Sequence, residues 1–394
     1  MRAVAATAPR VRGVDVARAV ALLAMMGTHL LPELDARGHS TPFAWVASGR
    51  ASALFAVLAG VGLALATGGE RPRLRPLRAT TTQVVVRALL IAAVGLWLVD
   101  LDPPVAVILV CYGLLFVLAL PLLGLRPGPL LALAAGWAVL VPCLSFWWRG
   151  ALPPGPGPQV GLADLAEPVD ALTRLALTGY YPVLTWLAYL LAGLAVGRLP
   201  LRSPAVARRL LVGGVVLAAS SWALSWVLVT GWGWRAVVAA GRTAGVGVPE
   251  AARWLQLDPM YGTTPTTTWW WLTAVTAHSG TPFDVLHTIG SAWVVLALSL
   301  LAWDAVQRRG LLVALASAGS MPLSLYTAHV VVTDALHPEP GPRPASSGWL
   351  EYGVQVGAAL LLATLWRRYL ARGPLEEVVH RASRGAAAVV SRTG

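Results

Sequence analysis

The chain contains no lysine: all 30 of its basic residues are arginine, set against 18 acidic residues, and only 12% of its 394 residues are charged. Such a composition is expected of a GC-rich bacterial genome. Charge this sparse, with 57% hydrophobic residues and a mean hydropathy of +0.67, excludes a soluble domain with a large core and describes a membrane protein. The net charge of +12 does not call for nucleic acid, because loop asymmetry accounts for it. Cysteine is nearly absent. Cys111 and Cys143 both lie in apolar runs, which excludes a disulfide framework, a metal cluster and a thiol nucleophile. No Walker loop, nucleophile elbow or HExxH occurs, and the His278…His287 spacing fits no metal-ligand pattern, so no metal is expected. The first apolar run lacks a convincing small-residue cleavage site, so it is read as retained rather than as a signal peptide. There is no solenoid repeat and no separate soluble domain.

What the sequence does have is apolar segments. Ten are near the length that crosses about 30 Å of hydrocarbon: 14–31, 43–67, 82–99, 104–123, 129–147, 180–197, 210–230, 285–303, 311–332 and 349–366. With both termini in the cytoplasm, the arginine clusters fall on one side: Arg10 and Arg12, Arg71–Arg78, Arg198–Arg209, Arg308 and Arg309, Arg367 and Arg368. The expected fold is therefore an all-α integral membrane protein of ten transmembrane helices with cytoplasmic termini. Residues 1–372 form one transmembrane domain and 373–394 a short basic cytoplasmic tail on the membrane surface. The outward segment at 148–179 carries a Pro/Gly run and then an acidic helical piece with Asp164, Glu167 and Asp170. The other long outward segment, 231–284, carries Trp269–Trp271, and Thr268 to Ala277 reads as an interfacial or re-entrant helix.

The polar residues inside these spans are the candidates for function. Between Val11 and Leu31 stand Asp15, Arg18 and His29. The 11 steps from Arg18 to His29 return to within about 20° of the same direction on a helix, and Asp15 lies about 40° from His29. The three share one stripe, with the charged pair at one membrane face and the imidazole about 16 Å away near the other. Ionisable groups inside a span are expensive and commonly functional. The structural alternative makes Asp15 and Arg18 interfacial and His29 an interhelical hydrogen-bonder. His39 lies in the first outward loop, and Arg50, in the outer half of the second span, needs a carboxylate, a carbonyl or a phosphate. Arg87, about a turn inside the third span, could join Arg71–Arg78 in a basic mouth for phosphates or simply meet lipid headgroups. Asp100 and Asp102 either orient a histidine or pair with Arg50, or else cap a span before a turn. His278, Asp284 and His287 form an outward group; Tyr326 and His329 sit in the ninth span.

The run Arg12-Gly-Val-Asp-Val-Ala-Arg-Ala-Val-Ala-Leu-Leu-Ala-Met-Met-Gly-Thr-His29 resembles the opening helix of a superfamily of transmembrane acyltransferases, and most closely that of heparan-α-glucosaminide N-acetyltransferase-like bacterial membrane proteins. The likeness continues through His39 and the run from Gly49 to Gly62. The run Gly319-Ser-Met-Pro-Leu-Ser-Leu-Tyr-Thr-Ala-His329 is similar to the closing spans of the related YeiB-like proteins. The resemblance covers the first 70 or so residues and this C-terminal motif. It implies transfer of an acetyl or other acyl group from cytoplasmic acetyl-CoA or another acyl-CoA to an extracytoplasmic sugar or glycolipid, in the plasma (inner) membrane. In the heparan enzyme the catalytic histidine lies in the first non-cytoplasmic loop, a position best matched by His39. In the related O-antigen and peptidoglycan acyltransferases, Asp, Arg and His fall at the spacing of Asp15, Arg18 and His29, and the helix histidine is catalytic. Both histidines are present here. Where the heparan enzyme carries an acidic residue in the second span, this chain has Gly49-Arg50.

The expected site is then His39, His29 and Arg50 at the transfer end, with Arg18, Asp15 and Arg87 at the acyl-CoA end. A near-neutral imidazole suits proton capture and return, and Arg50 could polarise a thioester or acceptor oxygen. The expected partners are acyl-CoA, a glycan or glycolipid acceptor and membrane lipid, with a homodimer as one option and no nucleic acid. The alternative is a multi-span transporter or flippase that uses the intramembrane Asp, Arg and His as a substrate or proton pathway.

Overall fold

Helix α1 (Arg12–Leu30) is the helix around which the others pack. It contacts six other helical segments and buries 12 of its 19 residues, among them Val14, Leu22, Met25 and Met26. The computed structural model describes residues 10–35, 40–72, 77–152, 159–243, 260–306, 310–337 and 345–393. Among these every regular element is helical. After α1 come α2 (Pro42–Ala47), α3 (Arg50–Ala66), α4 (Leu77–Val99), α5 (Leu109–Leu118), α6 (Pro127–Arg149), α7 (Pro168–Thr173), α8 (Val183–Gly197), α9 (Pro204–Leu228) and α10 (Trp234–Thr243). The chain closes with α11 (Pro282–Val306), α12 (Leu311–Ala318), α13 (Pro322–Leu336), α14 (Ala345–Tyr369) and α15 (Pro374–Thr393).

Seven described helices are long and apolar enough to cross a membrane, or nine if each of two bent pairs counts as one span. This is a multi-pass membrane protein. The expected span at 104–123 is only the ten-residue α5 followed by a short 3-10 turn. The expected ninth span, 311–332, is bent by 83° between α12 and α13. The break has two causes. Pro322 starts the second helix at a position where its missing N–H is harmless. Gly319 lies so close to α1 that a Cβ there would sit 1.7 Å from the Asp15 carbonyl oxygen. Trp269–Thr273 forms one short 3-10 helix that buries Trp271, in place of the longer interfacial helix expected up to Ala277.

Helices α3 and α8 meet backbone to backbone. A Cβ on Gly193 would lie 1.8 Å from the Val57 carbonyl oxygen, and one on Gly60 would lie 2.2 Å from that of Leu190. Small residues allow this approach, and without a hydrophobic drive in lipid the tight packing itself holds the pair. Arg198, at the end of α8, is buried and donates to the carbonyls of Ala64 (2.9 Å) and Leu123 (2.5 Å) and to Thr67 Oγ1 (2.9 Å), pinning the end of α3. The C-terminal tail is a docked helix. α15 packs on α4, and Glu376 accepts from the backbone N–H groups of Leu323 (2.7 Å) and Ser324 (3.2 Å), capping the start of α13.

Replacing Gly193 by Val should destabilise the protein by about 3 kcal/mol, the upper end for overpacking. The readout is the denaturant midpoint in detergent, compared with Gly128→Val, where a Cβ meets nothing within 4 Å.

Candidate functional site

The site begins with a buried carboxylate. Asp15, in the first turn of α1, is 1% exposed, and its two oxygens accept from Arg10 Nε (2.7 Å) and from Arg18 Nη1 (3.1 Å). Arg18 in turn lines a cavity of about 300 Å3. Its lining combines polar groups, Arg10, Arg18, Gln83, Arg87, Arg372, Glu376 and His380, with the aromatic rings of Phe55, Tyr112, Phe116 and Tyr326. The structure therefore brings Arg18 and Arg87 together, from helices that are distant in sequence. Asp15 anchors Arg18 and is not itself a lining group. Arg87 lies over the Phe116 ring, 5.5 Å from its centroid. Gly62 makes room for Arg18, since a Cβ there would stand 2.6 Å from its Nη2. The Tyr112 hydroxyl is buried in the cavity wall with no hydrogen-bond partner.

At the other end of α1, about 16 Å away by helical rise, His29 lies edge to edge with His329, the ring planes within 6° of parallel and the centroids 5.2 Å apart. His29 Nδ1 lies 3.0 Å from His329 Nε2, His329 Nδ1 lies 2.7 Å from Gln355 Oε1, and Gln355 Nε2 donates to Glu351 Oε1 (3.0 Å). Glu351 Oε2 meets His337 Nε2 at 2.8 Å. With Gln355 Nε2 turned to the Glu351 carboxylate, one tautomer assignment satisfies these contacts. Gln355 presents its oxygen to His329, so His329 Nδ1 carries the proton and Nε2 accepts. His29 must then donate from Nδ1, which leaves its basic lone pair on Nε2.

His29 also lines a small pocket of about 50 Å3 with Glu33, Ser48, Ser52, Tyr180, Tyr181 and His278. Sequence reasoning placed His278 only in a loose group. Its backbone is in the left-handed region (φ 57°), and the Gly262 N–H donates to its carbonyl (2.9 Å). Its ring packs against Tyr180, with centroids 4.9 Å apart, and its Nδ1 is buried without a partner. Burial pushes the imidazole down to about 4, so it is neutral near pH 7. A histidine held at positive φ beside two tyrosines is invisible to spacing arguments, because the contact depends on a loop closing across some 100 residues of chain.

The rest of the expected group is dispersed. Asp284 accepts from the Gly280 N–H (3.0 Å) and shapes the turn. His287 Nδ1 donates to the Ala218 carbonyl (2.9 Å), so its Nε2 accepts from Arg50 (2.9 Å), which also donates to the Trp45 carbonyl (2.7 Å). Arg50 thus finds a carbonyl and an imidazole, ties α3 to α11, and lines neither the 300 Å3 cavity nor the histidine pocket. Asp100 accepts from the Leu162 N–H (3.1 Å), 62 residues along the chain, a tie between segments that is neither a contact with Arg50 or a histidine nor a cap on its own span. His39 lies outside the described residues. The two cavities share no lining residue. Tyr326 lines the first, Ala106 lines the second, and the Tyr326 hydroxyl lies 3.5 Å from the Ala106 carbonyl oxygen, so one phenol forms part of the partition.

Residues 10–212 match the family model described as heparan-α-glucosaminide N-acetyltransferase, catalytic. Residues 259–386 match a second family model, described as a protein of unknown function (DUF418). No curated protein matches the chain. The first match contains Asp15, Arg18, His29, Arg50 and Arg87; the second contains His278, His329 and Glu376.

His278 makes the fold acid-sensitive in a defined window. Its folded value, about 4, lies below the ordinary 6.5, so between those values the unfolded chain binds a proton that the folded chain refuses. Stability should fall as pH drops from 6.5 to 4, and the contribution should be constant above and below. The His278→Asn variant should show a flatter thermal midpoint than wild type across that window.

Proposed function

The chain belongs to the heparan-α-glucosaminide N-acetyltransferase-like family, and we propose that it moves an acetyl or other acyl group from cytoplasmic acyl-CoA to an extracytoplasmic sugar or glycolipid. The observation that carries this reading is the placement, on one buried helix, of a guanidinium pair-partner facing a basic cavity and of a histidine whose basic nitrogen is defined by its neighbours.

On this reading Arg18 and Arg87 hold the phosphates of the coenzyme, the aromatic rings of the cavity take the pantetheine arm, and Asp15 keeps Arg18 in place. The acceptor hydroxyl or amine attacks the thioester carbon while His29 Nε2 removes its proton. The carbon–sulfur bond breaks, and the proton returns to the departing coenzyme thiolate. Attack by imidazole itself, giving an acyl-histidine that the acceptor then relieves, uses the same groups. His329, Gln355 and Glu351 act as positioning residues by fixing the His29 tautomer. The arm reaches His29 only when the Tyr326 side chain swings off Ala106. His39 remains the second candidate for the base, as the resemblance implies, and Arg50 serves to hold α3 against α11.

The closed partition between the cavities is also what an alternating-access transporter or flippase requires. One assay separates the two readings: transfer and hydrolysis of labelled acetyl-CoA by the purified protein in lipid nanodiscs. His29→Ala should lower turnover by about 10²–10⁴-fold while the protein stays folded. Arg87→Ala should raise the acetyl-CoA KM about tenfold, as expected for a lost charge-assisted contact, with kcat changed far less. Acyl-CoA consumption that is absent, or unaltered in both His29→Ala and His39→Ala, refutes the acyl-transfer mechanism.

A further inference from the structure

We propose that the chain binds an anionic phospholipid in a second basic cavity, at the arginine end of α1 and separate from the cavity assigned to acyl-CoA. The inference stands whether or not the acyl-transfer reading does. This cavity measures about 940 Å3 and lies between the start of α1, the end of α11, α12 and the end of α14. Arg12, Arg202, Arg367 and Arg368 line it, with Asp304 as the acidic group in its wall. It shares Arg10 alone with the smaller cavity, and that guanidinium is already held by Asp15.

The electrostatics call for an anion. Among the described residues, no ion pair joins Arg12, Arg368 or Asp304 to a partner. Among the described residues Arg367 donates to the Leu370 carbonyl (3.2 Å) and faces Arg10, Arg12 and Arg372, all of its own sign, of which Arg372 is paired with Glu377. The one carboxylate that also faces it is Asp15, which is engaged by Arg10 and Arg18. Like charges gathered in one crevice repel unless something neutralises them, and a planar guanidinium fits a phosphate oxygen pair.

The walls say that the anion carries hydrocarbon. Leu300, Trp303 and Val313 line the cavity beside the arginines, and an indole next to arginines is typical of a membrane–water interface. The flanking helices expose Val306, Leu311 and Leu365 to the surroundings. A phosphate joined to acyl chains matches this combination of arginines and apolar wall. If the arginine clusters face the cytoplasm, the cavity opens to the leaflet that carries anionic lipid, where basic pockets between helix ends bind such headgroups.

The test uses the full chain in nonionic detergent and follows its thermal midpoint on adding dioleoylphosphatidylglycerol, dioleoylphosphatidylcholine, inorganic phosphate or CoA. Phosphatidylglycerol should raise the midpoint by about 5 °C at saturation, phosphatidylcholine should raise it far less, and Arg12→Gln/Arg368→Gln should weaken the phosphatidylglycerol response at least tenfold in concentration. The same double variant should keep its response to CoA. Should it fail to fold, the single variants Arg12→Gln and Arg368→Gln, with bound phosphatidylglycerol counted by native mass spectrometry, carry the test and should each retain less lipid. Equal responses to the two lipids overturn the proposal. So does an undiminished phosphatidylglycerol response in the variants, or a CoA or phosphate response that the variants abolish, which would give the cavity to a soluble phosphate.

Discussion

A single carboxylate buried in the first turn of α1 constrains the rest of the arrangement. Asp15 pairs with two arginines while itself buried, offsetting one of their two charges, and breaking a buried pair by removing one partner costs on the order of 3–5 kcal/mol. Its geometry matters as much as its charge. Holding Arg10 by two nitrogens and Arg18 by one, it aims the first between two basic cavities and the second into one of them. The same turn is where Gly319 meets the α1 backbone, so the bend between α12 and α13 is built against the residue that organises the arginines. Charge placement and helix packing are therefore one constraint.

That constraint joins the two ends of the sequence. The N-terminal part supplies Arg18, Arg87 and His29; the C-terminal part supplies His329, Gln355 and Glu351 behind His29, and His278 beside it. Even the tail takes part, because Glu376 caps α13 while Arg372 and His380 line the arginine-end cavity. A stretch read from composition as a short basic tail on the membrane surface lines the candidate site with Glu376, Val379, His380 and Ser383.

What the sequence revealed follows from what is local and periodic. The Asp15, Arg18 and His29 stripe was legible because a helix repeats every 3.6 residues, and the helical character of the apolar segments was legible from their length. Arg87 beside Arg18 followed from placing both near the same face. Contacts made across hundreds of residues were not legible. The His29–His329 pair spans 300 positions, and nothing in either neighbourhood announces it. Broken helices were also hidden, since hydropathy sums over Gly319 and Pro322 without registering an 83° bend. Arg50 illustrates a third limit. Its need for a carbonyl or an anion was readable, but its choice of Trp45 and His287 over the histidine pocket depends on where α11 comes to lie. Arg198 likewise read as one more basic residue of a cluster, although it is a buried clamp on four carbonyls, those of Ala64, Thr67, Gly69 and Leu123.

The partition at Tyr326 fits the energetics of the proposed reaction better than an open channel would. A charged coenzyme carried through a bilayer would have to shed its hydration and pass uncompensated through low dielectric, at a cost of many kcal/mol. A neutral thioester has no such burden. If the phosphates stay with Arg18 and Arg87, only an uncharged arm has to cover the ~16 Å of α1 between Arg18 and His29, and what it needs from the protein is room rather than charge. Aromatic walls supply that room, and the buried Tyr326 phenol at the partition meets the Ile108 backbone and, at a long 3.5 Å, the Ala106 carbonyl. A barrier of that kind keeps water away from the thioester between turnovers and yields to an arm that replaces the contacts it displaces. On this reading the arginines, the aromatic walls and the histidine form a sequence in which charge is left behind at the first step, so no later step requires the membrane interior to hold it.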